Sequence, residues 1–231
     1  EALLALSPLH LPQTSWLTRF TFAATRSTVT SLPGGQIGPS LGNEVVAEGH
    51  SPSVIQVIDT AADPVDTTYI EVNPSFRVSL FNELVHHQFR FAFLLDWQQG
   101  GRINNISKLL YDFSQNTRDY ADPIPGSNST IGELRLSGAP PDTAYLESAS
   151  FLKLREVTLS YELPGSAVRA LWGSVRHATV SLSARNLFTI TGYSGLDPEV
   201  SNFGNTAISR LWDIAPFPPS RSFWLTVVLG L

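Results

Sequence analysis

The sequence predicts an all-β fold of antiparallel strands, and three observations carry that reading. Apolar residues recur at every second position in several runs, and a strand places alternate side chains on opposite faces. The runs are separated by stretches rich in Gly, Pro, Ser, Thr and Asn, with 16 glycines and 16 prolines in 231 residues. The connections between runs alternate between short and long, as antiparallel strands with one elaborated end require.

Taken in order, the first predicted strand covers residues 16–26, with Trp16, Phe20, Phe22 and Ala24 opposite Arg19, Thr21 and Thr25. The second covers 76–85, with Phe76, Val78, Leu80 and Leu84 opposite Arg77, Ser79 and Glu83. The third, 88–98, is the clearest: Phe89, Phe91, Phe93, Leu95 and Trp97 form one continuous apolar row. The fourth, 152–163, sets Val157, Leu159, Tyr161 and Leu163 against Glu156, Thr158, Ser160 and Glu162. The fifth, 177–191, sets Val180, Leu182, Ala184, Phe188 and Ile190 against Thr179, Ser181, Ser183, Arg185 and Thr189. The last, 222–231, has Phe223, Leu225, Val227, Leu229 and Leu231 opposite Ser222, Trp224, Thr226, Val228 and Gly230. The second and third strands meet at His86 and His87. The fourth and fifth are joined by residues 164–174, where 166–172 has room for one or two helical turns. The other connections, 27–75, 100–150 and 192–221, are long.

Composition narrows the function classes. Charged residues make up 15 % of the chain, against about 25 % in an ordinary soluble domain. The net charge of −5 and the lack of a Lys/Arg-rich patch argue against nucleic-acid binding. There is no Cys, so no disulfide framework, thiolate metal site or Cys nucleophile. There is no Met either, including at position 1, which reads as a processed chain or an internal fragment. No apolar run reaches the roughly 20 residues of a membrane helix, a test that says nothing of a β-barrel. The alternation suits a membrane barrel and a soluble β-sandwich alike. Aromatic residues near strand ends (Trp16, Trp97, Tyr161, Phe188) and the poverty of charge favour the barrel.

Few residues suggest chemistry. His86 and His87 with Glu83 and Asp96 read as a polar turn, because neighbours on a strand point to opposite faces and cannot easily share an ion. Asp197-Pro198-Glu199 with Asp213 offers oxygen ligands for Ca²⁺, but Asp-Pro reads first as a turn. Ser160, His177 and Asp197 make a triad on paper without a nucleophile elbow, so catalysis is not expected. Gly34-Gly35 and Gly100-Gly101 lack the Lys-Ser/Thr of a phosphate loop, and no cofactor is implied. Residues 108–113 have the character of a short helix over a barrel mouth. Trp97 and Trp172 read as interface anchors. Trp212 and Trp224, with Asp197 and Glu199 in the same long loop as Trp212, are the candidates for contact with a substrate.

Several segments taken together add a family resemblance. Residues 150–164, Ser-Phe-Leu-Lys-Leu-Arg-Glu-Val-Thr-Leu-Ser-Tyr-Glu-Leu-Pro, resemble a segment of the SusC/RagA family of TonB-dependent outer-membrane transporters. So do 183–189 (Ser-Ala-Arg-Asn-Leu-Phe-Thr), 193–200 (Tyr-Ser-Gly-Leu-Asp-Pro-Glu-Val), 96–105 (Asp-Trp-Gln-Gln-Gly-Gly-Arg-Ile-Asn-Asn) and 217–223 (Phe-Pro-Pro-Ser-Arg-Ser-Phe), in the family's order. The resemblance implies that residues 1–231 are the C-terminal portion of a transmembrane barrel of about 22 strands, with the plug domain and its TonB box outside this chain. It implies import of glycans, oligosaccharides or peptides across the bacterial outer membrane. The implied partners are a SusD-like surface lipoprotein, TonB acting through the plug, and the barrel-assembly machinery.

On that reading the lipid-facing set is Phe89, Phe91, Phe93, Leu95, Val157, Leu159, Tyr161, Val180, Leu182, Phe223, Leu225, Val227 and Leu229. The C-terminal assembly signal is Phe223, Leu225, Val227, Leu229 and Leu231, the last standing where the family ends in Phe. Arg90, Asp96, Glu156, Thr158, Ser160, Arg185 and Thr189 would face a hydrated lumen. The alternative from another class is a soluble extracellular β-sandwich binding module, which would bury the Phe89/Phe91/Phe93 row between two layers.

Overall fold

The computed structural model describes residues 1–38, 44–59, 64, 66–137, 143–199 and 212–230. Along the chain run β1 (Ala2–Leu11), β2 (Thr14–Ala23), β3 (Glu44–Val45), β4 (Val54–Asp59), β5 (Asp66–Glu71), β6 (Pro74–His86), β7 (Phe89–Gly100) and β8 (Arg102–Asn105). Then come helices α1 (Ile106–Phe113) and α2 (Ile131–Leu136), β9 (Leu146–Ser148), β10 (Phe151–Glu162), helix α3 (Gly165–Trp172), β11 (His177–Thr191), β12 (Trp212–Asp213) and β13 (Ser222–Gly230). The long strands form one seven-stranded antiparallel sheet in the order β1-β2-β6-β7-β10-β11-β13. Each long strand therefore pairs with the next long strand of the chain, which is an up-and-down meander.

All six predicted strands are present; the fifth keeps its bounds, 177–191, and the others have shifted ends. The first begins at Thr14 and stops at Ala23, so Ala24, Thr25 and Arg26 lie beyond it. The last ends at Gly230, and Leu231 lies outside the described residues. A seventh strand, β1, escaped the periodicity. Its pairing with β2 is broken between Leu6 and Leu9, where Ser7 and Pro8 bulge out of register. The bulge resets the alternation, so Leu4, Leu6, Leu9 and Leu11 share a side that no single period-two row describes.

Register decides which side chains share a face. Leu80, Leu95 and Leu154 lie abreast on one side, as do Leu84, Phe91, Leu159, Leu182 and Leu225. Arg155 is skipped in the pairing of β10 with β7, and Asn186 and Leu187 are skipped in the pairing of β10 with β11. The bulges fall at the same level of two neighbouring strands, so the apolar row continues on one face above and below them. Asn186 takes the left-handed backbone conformation this needs (φ 53°).

Polar residues on the apolar face are satisfied locally. Asn82 interrupts the apolar row of β6 and lies opposite Phe93 and Thr18. Its Oδ1 accepts a hydrogen bond from Trp16 Nε1 at 3.0 Å, and Thr18 Oγ1 donates to the Phe81 carbonyl at 3.4 Å. Aromatic contacts run along this face, with Phe91 near Phe93 in the middle and pairs at both ends. Phe76 stacks on Phe22 and meets Trp97 edge-on at one end, and Phe89 packs on Tyr161 at the other, with ring centroids 4.7–5.9 Å apart.

One end of the sheet has short turns. Pro12 and Gln13 join β1 to β2, and His87 and Gln88 join β6 to β7. The His87 N–H donates to the Gln13 carbonyl at 2.8 Å, tying the two hairpin turns together. Helix α3 joins β10 to β11 at this same end, and the other end carries the three-stranded sheet β3-β4-β5, the three-stranded sheet β12-β8-β9, and helices α1 and α2. Buried apolar side chains concentrate at the ends. Val45, Val54, Ile55, Val72, Ile103, Ala149, Phe151, Tyr193 and Trp212 lie at the loop end, and Val168, Val175 and Ala178 at the turn end. Mid-sheet, the apolar face stays open, with Phe91 40 % and Leu182 54 % exposed. A sandwich would hide that row; this structure leaves it on the outside.

The connection from β7 to β10 is held by a buried ion pair. Asp112 on α1 is fully buried and takes two hydrogen bonds from Arg135 on α2, Nε to Oδ2 at 2.6 Å and Nη2 to Oδ1 at 2.8 Å. Tyr145 Oη adds a third at 2.9 Å, Thr117 a fourth, and Arg135 also reaches Asp119 at 2.8 Å. Burial pushes the Asp112 carboxyl up, but these donors outweigh it and hold it below the usual carboxylate range. Burial and the neighbouring Asp112 raise the Tyr145 phenol to about 12. Because the folded pKa of Asp112 is depressed, its stabilisation is complete above the unfolded value near 3.8 and is lost as pH falls through the folded value. We expect Asp112→Asn or Arg135→Gln to weaken this segment by about 3 kcal/mol or more, read as faster amide exchange over 106–137. The wild-type segment should keep its protection down to about pH 4 and lose it below.

Candidate functional site

The face opposite the apolar row is polar, and its side chains pair with the residues directly across the ladder. Arg77 Nε donates to Gln98 Oε1 at 2.8 Å and Ser79 Oγ to Asp96 Oδ1 at 2.9 Å. Arg185 Nε donates to Glu156 Oε2 at 3.0 Å; Thr158 meets Ser183 at 2.9 Å, and Ser181 donates to Ser160 at 2.8 Å. Each pair is an opposed pair in the register, the position at which side chains of one face come closest.

Toward the loop end these pairs grow into an ionic chain. Lys153 is 3 % exposed, and its Nζ donates to Asp197 Oδ1 at 2.6 Å, Asp197 Oδ2 at 2.8 Å and Glu199 Oε2 at 2.6 Å. Arg155, thrust toward the same side by its bulge, donates through Nη2 to Asp96 Oδ2 at 2.6 Å and to Glu199 Oε1 at 2.7 Å. Both cations lie near the Phe151 ring, at 4.9 and 5.5 Å from its centroid. Burial raises the Glu199 carboxyl, but hydrogen bonds from Arg155 and Lys153 prevail and keep it below its ordinary range. The two cations thus seat the 193–199 strap on the polar face of the sheet. The same contacts explain why two separated motifs, Lys-Leu-Arg-Glu at 153–156 and Leu-Asp-Pro-Glu at 196–199, occur in one chain.

A second set of contacts locks the neighbouring loops. Glu147 accepts hydrogen bonds from Ser194 N at 2.7 Å, Ser194 Oγ at 2.6 Å and Asn105 Nδ2 at 3.2 Å. Asn105 also caps α1 through Lys108 N at 2.9 Å. Asp213 accepts from Tyr193 Oη and Ser107 Oγ. Burial and the facing Asp213 carboxylate push the Tyr193 phenol well above its usual value. Tyr193 folds over Gly195, where a β-carbon would collide with the ring.

The sequence candidates therefore occupy different settings. Asp197 is buried under Lys153, and Trp212 is 3 % exposed within the β12-β8-β9 layer. Glu199 bridges the two cations. Trp224 stands 58 % exposed on the polar face opposite Ser183. The carboxylates considered as a Ca²⁺ set divide between two partners, Asp197 and Glu199 on Lys153 and Asp213 on Tyr193. His86 and His87 meet edge to face at 4.5 Å, and His86 Nδ1 lies 2.8 Å from Thr14 Oγ1. Sequence reasoning missed a cavity of about 780 Å³ at the loop end, lined among others by Arg26, Ser51, Tyr69, Glu71, Asn73 and Arg77. His50 stacks on Tyr69 at its edge, with centroids 4.0 Å apart. These residues come from separate stretches of the chain around 26, 51, 69–73 and 77, and no local spacing announces their meeting.

Comparison with known proteins matches this geometry. No protein-family model matches the chain. Two curated proteins of Formosa agariphila, TonB-dependent receptor P26 and TonB-dependent receptor P39, are each 28 % identical to it, over 170 and 168 residues. The chain is similar in sequence to these TonB-dependent receptors. The match takes in 68 % of the chain but spans only 17 % and 16 % of the length of those receptors. In solved structures, the RagAB peptide importer in its "open-open" state superposes with a TM-score of 0.72 at 18 % identity, over 99 % of this chain and 28 % of that one. The "closed-closed" state gives 0.70 at 19 % identity, over 98 % and 28 %. The resemblance to the SusC/RagA type carried by the motifs agrees with both comparisons. TonB-dependent receptors are outer-membrane proteins of Gram-negative bacteria, and this likeness gives the same compartment here.

We expect Lys153→Met to release the strap, because it leaves Asp197 buried without its cation at a cost of about 3–5 kcal/mol. Amide exchange over 193–199 should then be faster than in the wild type. Lys153→Met combined with Asp197→Asn should recover part of the protection.

Proposed function

We propose that this chain supplies part of the barrel wall and the extracellular loops of a TonB-dependent outer-membrane importer. The observation that carries the reading is the two-faced sheet: seven antiparallel strands with an open apolar face, a polar face of paired side chains, and the three longest connections at one end. Strands of 9–15 residues suit a tilted crossing of the hydrocarbon layer, which takes about 9–11. Short periplasmic turns and long extracellular loops are the habit of outer-membrane barrels.

On this reading residues 1–231 form the C-terminal portion of a barrel of about 22 strands whose plug lies elsewhere in the protein. The apolar row of Phe91, Val157, Leu182 and Leu225 meets lipid, and the face of Glu156, Thr158 and Arg185 meets water and the plug. The strands close into a barrel with others of the same protein, which pairs the free edges of β1 and β13. The cargo is a nutrient too large for a passive pore, a glycan or a peptide. A surface lipoprotein delivers it at the loop end, and TonB drives the plug. Wall and loops position and enclose cargo, without catalysis. The Trp224 ring and the cavity around Tyr69 and Arg77 are where this chain touches it.

A charge at mid-bilayer on a barrel exterior costs about 2–4 kcal/mol for Arg. We expect Phe91→Arg and Leu182→Arg to reduce the heat-modifiable, folded protein recovered from outer membranes, while Thr158→Arg on the opposite face leaves it near wild type. Equal recovery of all three would overturn the assignment of faces. Expressed alone without detergent, residues 1–231 should aggregate through the open face and edges; a monodisperse, soluble monomer would favour the β-sandwich module instead.

A further inference from the structure

Helix α3 lies on the wrong side of the sheet for a mere connector. Its Val168 is fully buried against Val175 and Ala178, with Leu163 packed alongside. Ala178 pairs with Leu229 and alternates onto the same face as Val180, which lies abreast of Tyr161. Leu163 follows Tyr161 on that face, and its N–H donates to the Ala178 carbonyl at 2.9 Å. The helix is therefore folded back over the turn-end rim of the apolar face. Ala178, fully buried, is small enough to let it approach.

The outward side of α3 does not suit water. Leu171 is 63 % and Trp172 42 % exposed beside each other in the last turn. Arg169 and Arg176 are exposed around them. The sequence from 163 to 196 contains no Asp or Glu, and Glu162, the nearest acid in the chain, alternates onto the polar face with Ser160. Phe89 and Tyr161 stack at the same end of the apolar face and extend the aromatic band toward the helix. An apolar pair flanked by arginines that make no salt bridge among the described residues, continuous with an apolar sheet face, is the pattern of an element lying in a bilayer interface.

We infer that α3 is a foot that seats the turn-end rim of this wall on acidic phospholipid headgroups. Leu171 and Trp172 enter the boundary between headgroups and acyl chains, and Arg169 and Arg176 bind headgroup phosphate. The inference rests on the reading of the apolar face as lipid-facing and adds to it a specific contact with an anionic lipid.

The test uses the intact protein isolated from outer membranes and placed in phosphatidylcholine vesicles with or without phosphatidylglycerol. This chain has no cysteine, so Leu171→Cys carries a single bimane label within it. The label should be quenched by brominated lipids, severalfold more by brominated phosphatidylglycerol than by brominated phosphatidylcholine. High salt, or the double variant R169Q/R176Q, should remove that preference. Quenching by aqueous iodide alone, or an unchanged preference in R169Q/R176Q, overturns the inference. If Leu171→Cys fails to assemble, Trp172→Cys reads the same position. A label at Phe91→Cys separates the two levels: lipid quenching there with none at position 171 defeats the foot alone, and iodide quenching at both defeats the lipid-facing reading itself.

Discussion

The molecule depends on the constancy of one register. In a sheet, a slip of a single residue turns every side chain of a strand to the other face. Seven strands must therefore agree on parity for one face to stay apolar and the other polar. The bulges are the places where agreement is at risk. Ser7 and Pro8 bulge out of β1 at the edge of the sheet, where only one neighbour must adapt. In the interior, the bulge at Arg155 is met at the same height by that at Asn186 and Leu187, so both ladders of β10 shift at one level and the faces keep their parity above and below it. The irregularity has a use, since it turns the Arg155 guanidinium toward the ionic chain beside Lys153.

That chain shows how a long connection is fixed without an apolar core. Lys153, Arg155, Asp96, Asp197 and Glu199 join two adjacent strands to a strap more than 40 residues downstream, and the hydrogen bonds account for most of their polar atoms. Buried charges are tolerated when each is paired and hydrogen-bonded, and breaking one partner is costly. The Asp112–Arg135 pair works in the same way inside the β7–β10 connection. Both loops are thereby stiffened by directional contacts, which suit a surface that keeps its shape beside water.

Much of this was legible in the residues. Strict alternation exposed β7, β10, β11 and β13, because side chains on a two-faced sheet feel opposite environments. The strand β1 was hidden by Pro8 and by a bulge that breaks the period. The sub-sheets β3-β4-β5 and β12-β8-β9 are built from strands of two to six residues, too short for a pattern to show. Trp212 and Asp197 drew notice as loop residues with useful chemistry, but the structure buries both. Nothing local distinguishes a tryptophan awaiting a ligand from one that fills a layer, or a carboxylate awaiting a cation from one that already has a lysine 44 positions away. The resemblance of the motifs was informative because each motif is one half of a contact.

The bond between Trp16 and Asn82 has a consequence for how such walls vary. An amide among apolar side chains is a liability that its neighbour on β2 cancels by offering an indole hydrogen. The two positions are bound as a genetic couple. Exchanging the indole for a plain ring strands the amide, whereas losing both together costs little. Descent through sequence space at this spot should proceed by paired steps, and an isolated apolar replacement of the amide should open the way for its partner to drift.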